Sequence, residues 1–250
     1  FGYGLDPHDS TYHVTFDATD TEAAEALEAR LGDLVTIDYG EVELRGRMDD
    51  GEPHWGGAGI RPYGTSFPTC TAGFTVRYPS GTKGSVTAGH CYAHGTRIYS
   101  GPQFYGKVDT SHHPLYDMDR INPAGEVFEN KIHVDPCCPS VRRVTGRSNP
   151  SLHEFLCVSG MKTRAVCGIE VVSLSWRVCT SEACNLLFLA RKPGQLVGQG
   201  GDSGAPSYTR PSPSTATIKG MEVAGTRYDN FLGEKVGVIE ARLGVTVATY

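Results

Sequence analysis

The sequence predicts an all-β fold from Trp55 onward, preceded by a small α/β module. Three observations point there. Short β-rich runs recur between Gly, Pro and Asn turns, with the spacing of a sandwich or barrel. The 250 residues include 31 Gly and 15 Pro, more turn formers than a helical bundle carries. No tandem repeat of the solenoid kind is present. With 39% apolar residues, the chain can bury a core for one large domain or two smaller ones.

Taken in order, residues 1–11 are polar and glycine-rich and read as an irregular lead. Residues 12–16 have strand composition. Thr19-Asp20-Thr21-Glu22 carries a capping-box pattern. Ala23, Leu27 and Leu31 follow at helical spacing, and Gly32 stops the helix. Residues 34–37 and 42–44 read as further strands. Residues 46–54, with Asp49-Asp50-Gly51-Glu52-Pro53 among them, read as an exposed linker. The expected division is a module over 1–54 and a main domain over 55–250. Strand runs in the main domain are 73–78, 97–99, 106–108, 141–145, 169–174, 185–189, 218–223 and 236–239. Residues 210–215, Arg-Pro-Ser-Pro-Ser-Thr, form a loop between strands.

Charge and cysteine usage narrow the function. The net charge is −5 with no long basic run, which argues against nucleic acid as a partner. No apolar stretch approaches a membrane span, so no membrane partner is expected. No basic-then-apolar leader opens the sequence; a signal segment is expected to have been removed or to lie outside it. Eight cysteines without paired C-x-x-C knuckles suggest disulfides and an oxidising compartment. Cys137, Cys138, His153 and Cys157 fit no common zinc spacing, and neither metal nor cofactor is expected. His94, His112, His113 and His133 read as surface histidines.

Two distant stretches carry the chemistry. One is Gln199-Gly200-Gly201-Asp202-Ser203-Gly204-Ala205-Pro206, a serine flanked by glycines. The other is Ser85-Val86-Thr87-Ala88-Gly89-His90-Cys91. Together they read as nucleophile and general base of a serine peptidase. A serine hydroxyl is a poor nucleophile near neutral pH; it needs a base, and the base needs an orienting carboxylate. Ser203 and His90 fill the first two roles. Asp117 and Asp119 both compete for the third, and Asp117 is preferred because its D-x-x-x-I pattern places Ile121 on the strand that follows. The amides of Gly201 and Ser203 would be the oxyanion donors. The pocket floor is expected around Leu196-Val197-Gly198, where no acid stands. A neutral apolar or aromatic side chain is therefore expected at the cleaved position. Tyr228 is a candidate subsite wall.

Nearly all of residues 55–250 resembles a chymotrypsin-fold serine peptidase of the secreted bacterial streptogrisin type. The resemblance rests on Cys70 with Thr87-Ala88-Gly89-His90-Cys91, on Ser159-Gly160 through Cys167-Gly168, on Gly201-Asp202-Ser203-Gly204, and on Leu243-Gly244-Val245-Thr246-Val247. It implies two perpendicular six-stranded antiparallel β-barrels, about 55–140 and 141–250, with the site in the cleft between them. It implies a secreted endopeptidase acting on proteins or peptides without a cofactor, expected as a monomer, with His90, Asp117 and Ser203 on the triad positions. It pairs Cys70 with Cys91, a loop closure that stabilises by roughly 3 kcal/mol. Of the other six cysteines, Cys167 is expected to join Cys179 or Cys184, and Cys137 and Cys138 to take separate partners. An arginine among Arg142, Arg143 and Arg147 is expected to pair with Asp202.

Departures from the pattern are Ala205 for a second glycine, and Val223-Ala224-Gly225 as the substrate-binding edge where serine-glycine-glycine is usual. They motivate an alternative, a binding protein of this fold with little catalysis. Residues 1–54 resemble the end of a pro-region. That raises a further alternative, a latent precursor cleaved near residues 47–55.

Overall fold

The computed structural model describes residues 2–6, 11–16, 21–39, 46–114, 116–136, 140–179 and 184–249. The chain divides into two units, Phe1–Arg45 and Gly46–Tyr250. In the first, Gly2–Asp6 pairs antiparallel with Thr11–Phe16, which pairs parallel with Val35–Tyr39. A parallel pair needs a crossover, and the helix Thr21–Leu31 supplies it. Val14, Phe16, Ala24 and Val35 form the core of this unit, with Leu27 and Ile37 against it. Two expectations change. The supposed irregular lead contains the strand Gly2–Asp6. The buried stripe of the helix is Ala24 and Leu27, three residues apart, while Ala23 and Leu31 are exposed. Thr19 and Asp20 of the capping pattern, and the strand expected over 42–44, lie outside the described residues.

The second unit is built from two sheets. Six strands close an antiparallel ring: Pro206–Thr209, Phe155–Gly160, Arg164–Cys179, Cys184–Arg191, Asn230–Lys235 and Thr215–Ala224, the last pairing back onto the first. That sheet continues past Thr215–Ala224 through Val141–Arg147, Phe128–His133 and His54–Gly56. The other sheet runs Thr75–Arg77, Lys83–Thr87, Asp119–Asn122, Gln103–Ser111, Arg97–Ser100, Gly59–Pro62, with Thr246–Val247 and Cys70–Thr71 at its edges. Register shifts in Gln103–Ser111 curve it, as bulges do. Val76 and Val86 of this sheet, with Phe74 just before it, share one buried cluster with Ile218, Met221 and Leu232 of the other. A side chain such as Phe74, wholly buried, contributes about 2 kcal/mol. The all-β, barrel-type expectation holds.

Two finer expectations do not. Residues 236–239 were expected as a strand from their Val and Ile content; they open the helix Val236–Leu243. Val236, Ile239 and Leu243 are its buried residues, an i, i+3, i+7 stripe, and Gly244 closes it in the left-handed conformation at φ 63°. Cys167 pairs with Cys157 rather than with Cys179 or Cys184, which pair with each other. Both bridges join residues facing across adjacent antiparallel strands. Cys137 and Cys138 lie outside the described residues.

Residues 46–54 are not an exposed linker. Arg47, Asp50 and His54 are buried in the second unit. The Arg47 guanidinium donates to the carbonyls of Gly57, Ser159 and Gly160 and to Ser159 Oγ, and pairs with Asp135 at 2.8 Å. Asp50 lies 2.9 Å from His133 Nε2 and 3.2 Å from His54 Nδ1, and accepts from the Trp55 amide. His133 is thus buried rather than on the surface. A buried charge is tolerated when paired and hydrogen-bonded, and these partners lie up to 113 residues away.

Candidate active site

Strand pairing brings His90 and Asp117 together. Thr87, at the end of Lys83–Thr87, sits opposite Asp119, at the start of Asp119–Asn122. His90 follows Thr87 by three residues, and Asp117 precedes Asp119 by two, so both lie just off the same end of the pair. The Cys70–Cys91 bridge ties down the residue after His90. Asp117 Oδ1 accepts from the His90 amide at 2.8 Å, and Oδ2 lies 2.7 Å from the imidazole Nδ1. His90 Nε2 lies 2.9 Å from Ser203 Oγ. The three residues singled out in the sequence therefore meet, across separations of 27 and 113 residues.

The turn that carries Ser203 is held from several sides. The Ser203 carbonyl accepts from the Thr71 amide at 2.8 Å, and the Gly204 amide donates to the Glu222 carbonyl at 2.7 Å. Gly204 has φ +96°, and a Cβ there would lie 2.0 Å from the Thr71 carbonyl oxygen. Only glycine fits. Gly201, at φ +107°, shares the left-handed backbone, while a Cβ there would meet the end of the Met161 side chain, at 2.6 Å. Among the described residues, the amides of Gly201 and Ser203 donate to no protein acceptor. Ala205 is fully buried, packed among Val197, Phe231 and their neighbours, so its methyl group is accommodated.

Asp202 is also fully buried. The arginine expected beside it is absent from its contacts. Arg142 instead donates to the carbonyls of Ser212 and Thr215, and Arg147 pairs with Glu240. The Asp202 carboxylate accepts from the amides of Lys162 at 2.7 Å, Thr163 at 3.1 Å and Gln199 at 3.0 Å, and from the Thr163 hydroxyl. Converging N–H donors stabilise a buried carboxylate without a cation.

Electrostatics around His90 are set by acids. The hydrogen bond to Asp117 raises the imidazole's proton affinity above its ordinary value against the opposing effect of burial, with the charges of Asp117 and Asp119 adding to the rise. Burial pushes the Asp119 carboxyl up to about 7, against the pull of Ser111 and with Asp117 adding to the rise. Asp119 is thus buried beside the site without touching the imidazole. Burial likewise pushes Glu234 up to about 7, opposed by Asn185 and by the Asp117 amide.

These carboxyls bind their protons more tightly folded than unfolded. Between about pH 4 and 7 the folded state therefore holds more protons, and stability falls as pH rises through that window. His54, raised by Asp50 and Glu126 against its burial, acts in the same direction. The melting temperature is expected to be higher at pH 5 than at pH 8, and Asp119→Asn to flatten the difference. Thermal unfolding followed by circular dichroism checks this, and a melting temperature that rises from pH 5 to pH 8 would contradict it.

No family model and no curated protein sequence matches the chain. Solved structures do. A protease of Thermobifida fusca, Protease A, superposes with a TM-score of 0.63 at 26% identity, covering 78% of this chain and 98% of that one. A Nocardiopsis protease gives 0.63 at 22% identity with the same coverage of each chain. A glutamic-acid-specific serine protease gives 0.61 at 20%, covering 78% of this chain and 100% of its own. The chain is a serine peptidase of chymotrypsin-like fold.

Beside Ser203 the peptidase has a cleft of about 310 Å³, lined by residues of the 198–200 loop and by Glu222, Ala224, Gly225, Thr226, Arg227 and Tyr228. Ala224 and Gly225 of the expected substrate edge reach it; Val223 is buried behind them. Tyr228 also lines this cleft. Residues 196–198 carry no acid, as their sequence reads, but Glu222 enters the cleft from the strand Thr215–Ala224. Glu222 directly precedes Val223-Ala224-Gly225, and strand alternation against that edge was the one available signal.

Proposed function

We propose that the peptidase is a secreted endopeptidase that cleaves proteins or peptides through an acyl-enzyme, with Ser203 as nucleophile, His90 as general base and Asp117 as its orienting carboxylate. The observation that carries this is the bridging imidazole, with one ring nitrogen at Ser203 Oγ and the other at Asp117. His90 takes the hydroxyl proton as Oγ bonds to the scissile carbonyl carbon. The oxygen of the tetrahedral intermediate lies against the amides of Gly201 and Ser203. His90 then gives its proton to the departing amine, and water attacks the acyl-enzyme by the same route. The substrate backbone would lie along Val223-Ala224-Gly225. No metal or cofactor is required by these steps. The three disulfides among the described residues support an oxidising, extracellular setting. A peptidyl or alkyl phosphonofluoridate should modify Ser203 stoichiometrically, as read by peptide mass mapping. Labelling elsewhere, or none, would refute the assignment.

A second reading concerns the N-terminal unit, whose division from the rest falls between Arg45 and Gly46. We infer that residues 1–45 are pro-region-like. A cut near residues 47–55, as the sequence suggests, would fall among the buried Arg47, Asp50 and His54; a cut ahead of Gly46 would leave the Arg47 and Asp50 contacts intact. Removing 1–45 is expected to raise peptide hydrolysis sharply. Equal activity with and without them would make the unit a permanent module.

A further inference from the structure

We propose that Glu222 makes the peptidase select a basic side chain, lysine or arginine, at the residue whose carbonyl Ser203 attacks. This rests on the reading of Ser203 as nucleophile. Glu222 is only 5% exposed, yet it lines the cleft that Ser203 opens into. Its Oε2 is buried without a hydrogen-bond partner. Its backbone is fixed to the nucleophile turn at two points. The Glu222 amide donates to the Ala205 carbonyl at 2.9 Å, and its carbonyl accepts from Gly204. The carboxyl is therefore held at a set place relative to Ser203.

The opposite wall is shaped around this carboxyl. A Cβ on Gly198 would lie 2.2 Å from Glu222 Oε1, so any other residue there would displace the acid from the pocket. Among the described residues no cation contacts it. Arg227, on the rim, is largely exposed and lies 3.9 Å from Asp229 instead. Burial raises the proton affinity of Glu222, and the charge of another acid, Asp202, adds to the rise.

A buried carboxyl facing an acid and lacking a donor is a defect in the empty protein and a receptor for a cation. An apolar side chain would seal the carboxyl from water and leave it unpaired. A glutamate would add a third acid. An amide would offer a hydrogen bond without charge. An ammonium or guanidinium brings both, and charge-assisted bonds are roughly twice as strong as neutral ones.

The test is a series of tripeptide nitroanilides identical except at the cleaved position: Arg, Lys, Gln, Leu, Phe and Glu. In the wild type, kcat/KM for Arg or Lys is expected to exceed that for Leu or Phe by about 10²-fold or more, and E222Q to collapse that ratio by about 10²-fold. Benzamidine, a small arylamidinium, is expected to compete with substrate in the wild type; this reads the pocket even if E222Q does not fold. The outcomes separate the two readings. If Ser203 is labelled by the phosphonofluoridate but Leu, Phe, Gln or Glu leads the series, the basic preference is wrong and the endopeptidase reading stands. An unchanged ratio in E222Q, or no competition by benzamidine, likewise overturns the role of Glu222. If Ser203 escapes labelling and no peptide is cleaved, both readings fall.

Discussion

Ser203→Ala is expected to lower turnover by about 10⁶-fold while leaving KM and the melting temperature close to those of the parent. The substitution removes one oxygen atom. The Ser203 carbonyl would still accept from Thr71, the Gly204 amide would still donate to Glu222, and Asp202 would keep its amide donors. What vanishes is the atom 2.9 Å from His90 Nε2 that can bond to a carbonyl carbon. The amides of Gly201 and Ser203 remain, so a residual rate above that of water is expected, supplied by the oxyanion donors and by binding alone. The measurement is peptide hydrolysis by purified parent and variant, with circular dichroism to establish equal folding. A variant within tenfold of the parent would show that the hydroxyl is not the nucleophile.

Legibility in the sequence followed how local each constraint is. The glycines around Ser203 and the run ending at His90 are short, contiguous and dictated by chemistry, so they could be read directly. Asp117 could be chosen over Asp119 because the strand beginning at Asp119 leaves Asp117 free to face the imidazole. What escaped was set by contacts between distant residues. Arg47 and Asp50 look like solvated charges until Asp135, Ser159 and His133 are placed beside them. Asp202 seemed to need an arginine because backbone amides carry no signature in sequence. Residues 236–239 have strand composition, yet the period of Val236, Ile239 and Leu243 is helical and extends beyond the stretch first considered. Cys157 and Cys167 are partners because their strands are neighbours, a fact of pairing rather than spacing. Glu222 hid for the same reason: only the folded strand turns it toward Ser203.

Asp117→Asn is expected to lower kcat by about 10⁴-fold and to shift the acid limb of the kcat/KM profile to lower pH. Both effects come from one carboxylate doing two things. Its Oδ2, at 2.7 Å from Nδ1, holds the proton on that nitrogen and leaves Nε2 free to accept from Ser203. An asparagine placing its NH₂ there would donate instead, favouring the tautomer with its proton on Nε2, which cannot act as base. The second effect follows from charge. Asp117 is the largest cause of the raised proton affinity of His90. The base works only when neutral, so the parent's acid limb is expected above the ordinary imidazole value of about 6.5 and the variant's below the parent's. Nearby His113, 3.6 Å from Asp117 Oδ1, does not substitute for the carboxylate, since it brings no acceptor charge. Asp119→Asn is the control. It removes a buried acid beside the site without breaking the contact to Nδ1, so it should move thermal stability with pH and not cost four decades in turnover. If Asp117→Asn retained more than a tenth of parental kcat, or Asp119→Asn lost as much as Asp117→Asn, the orienting role would have to be given to a different group.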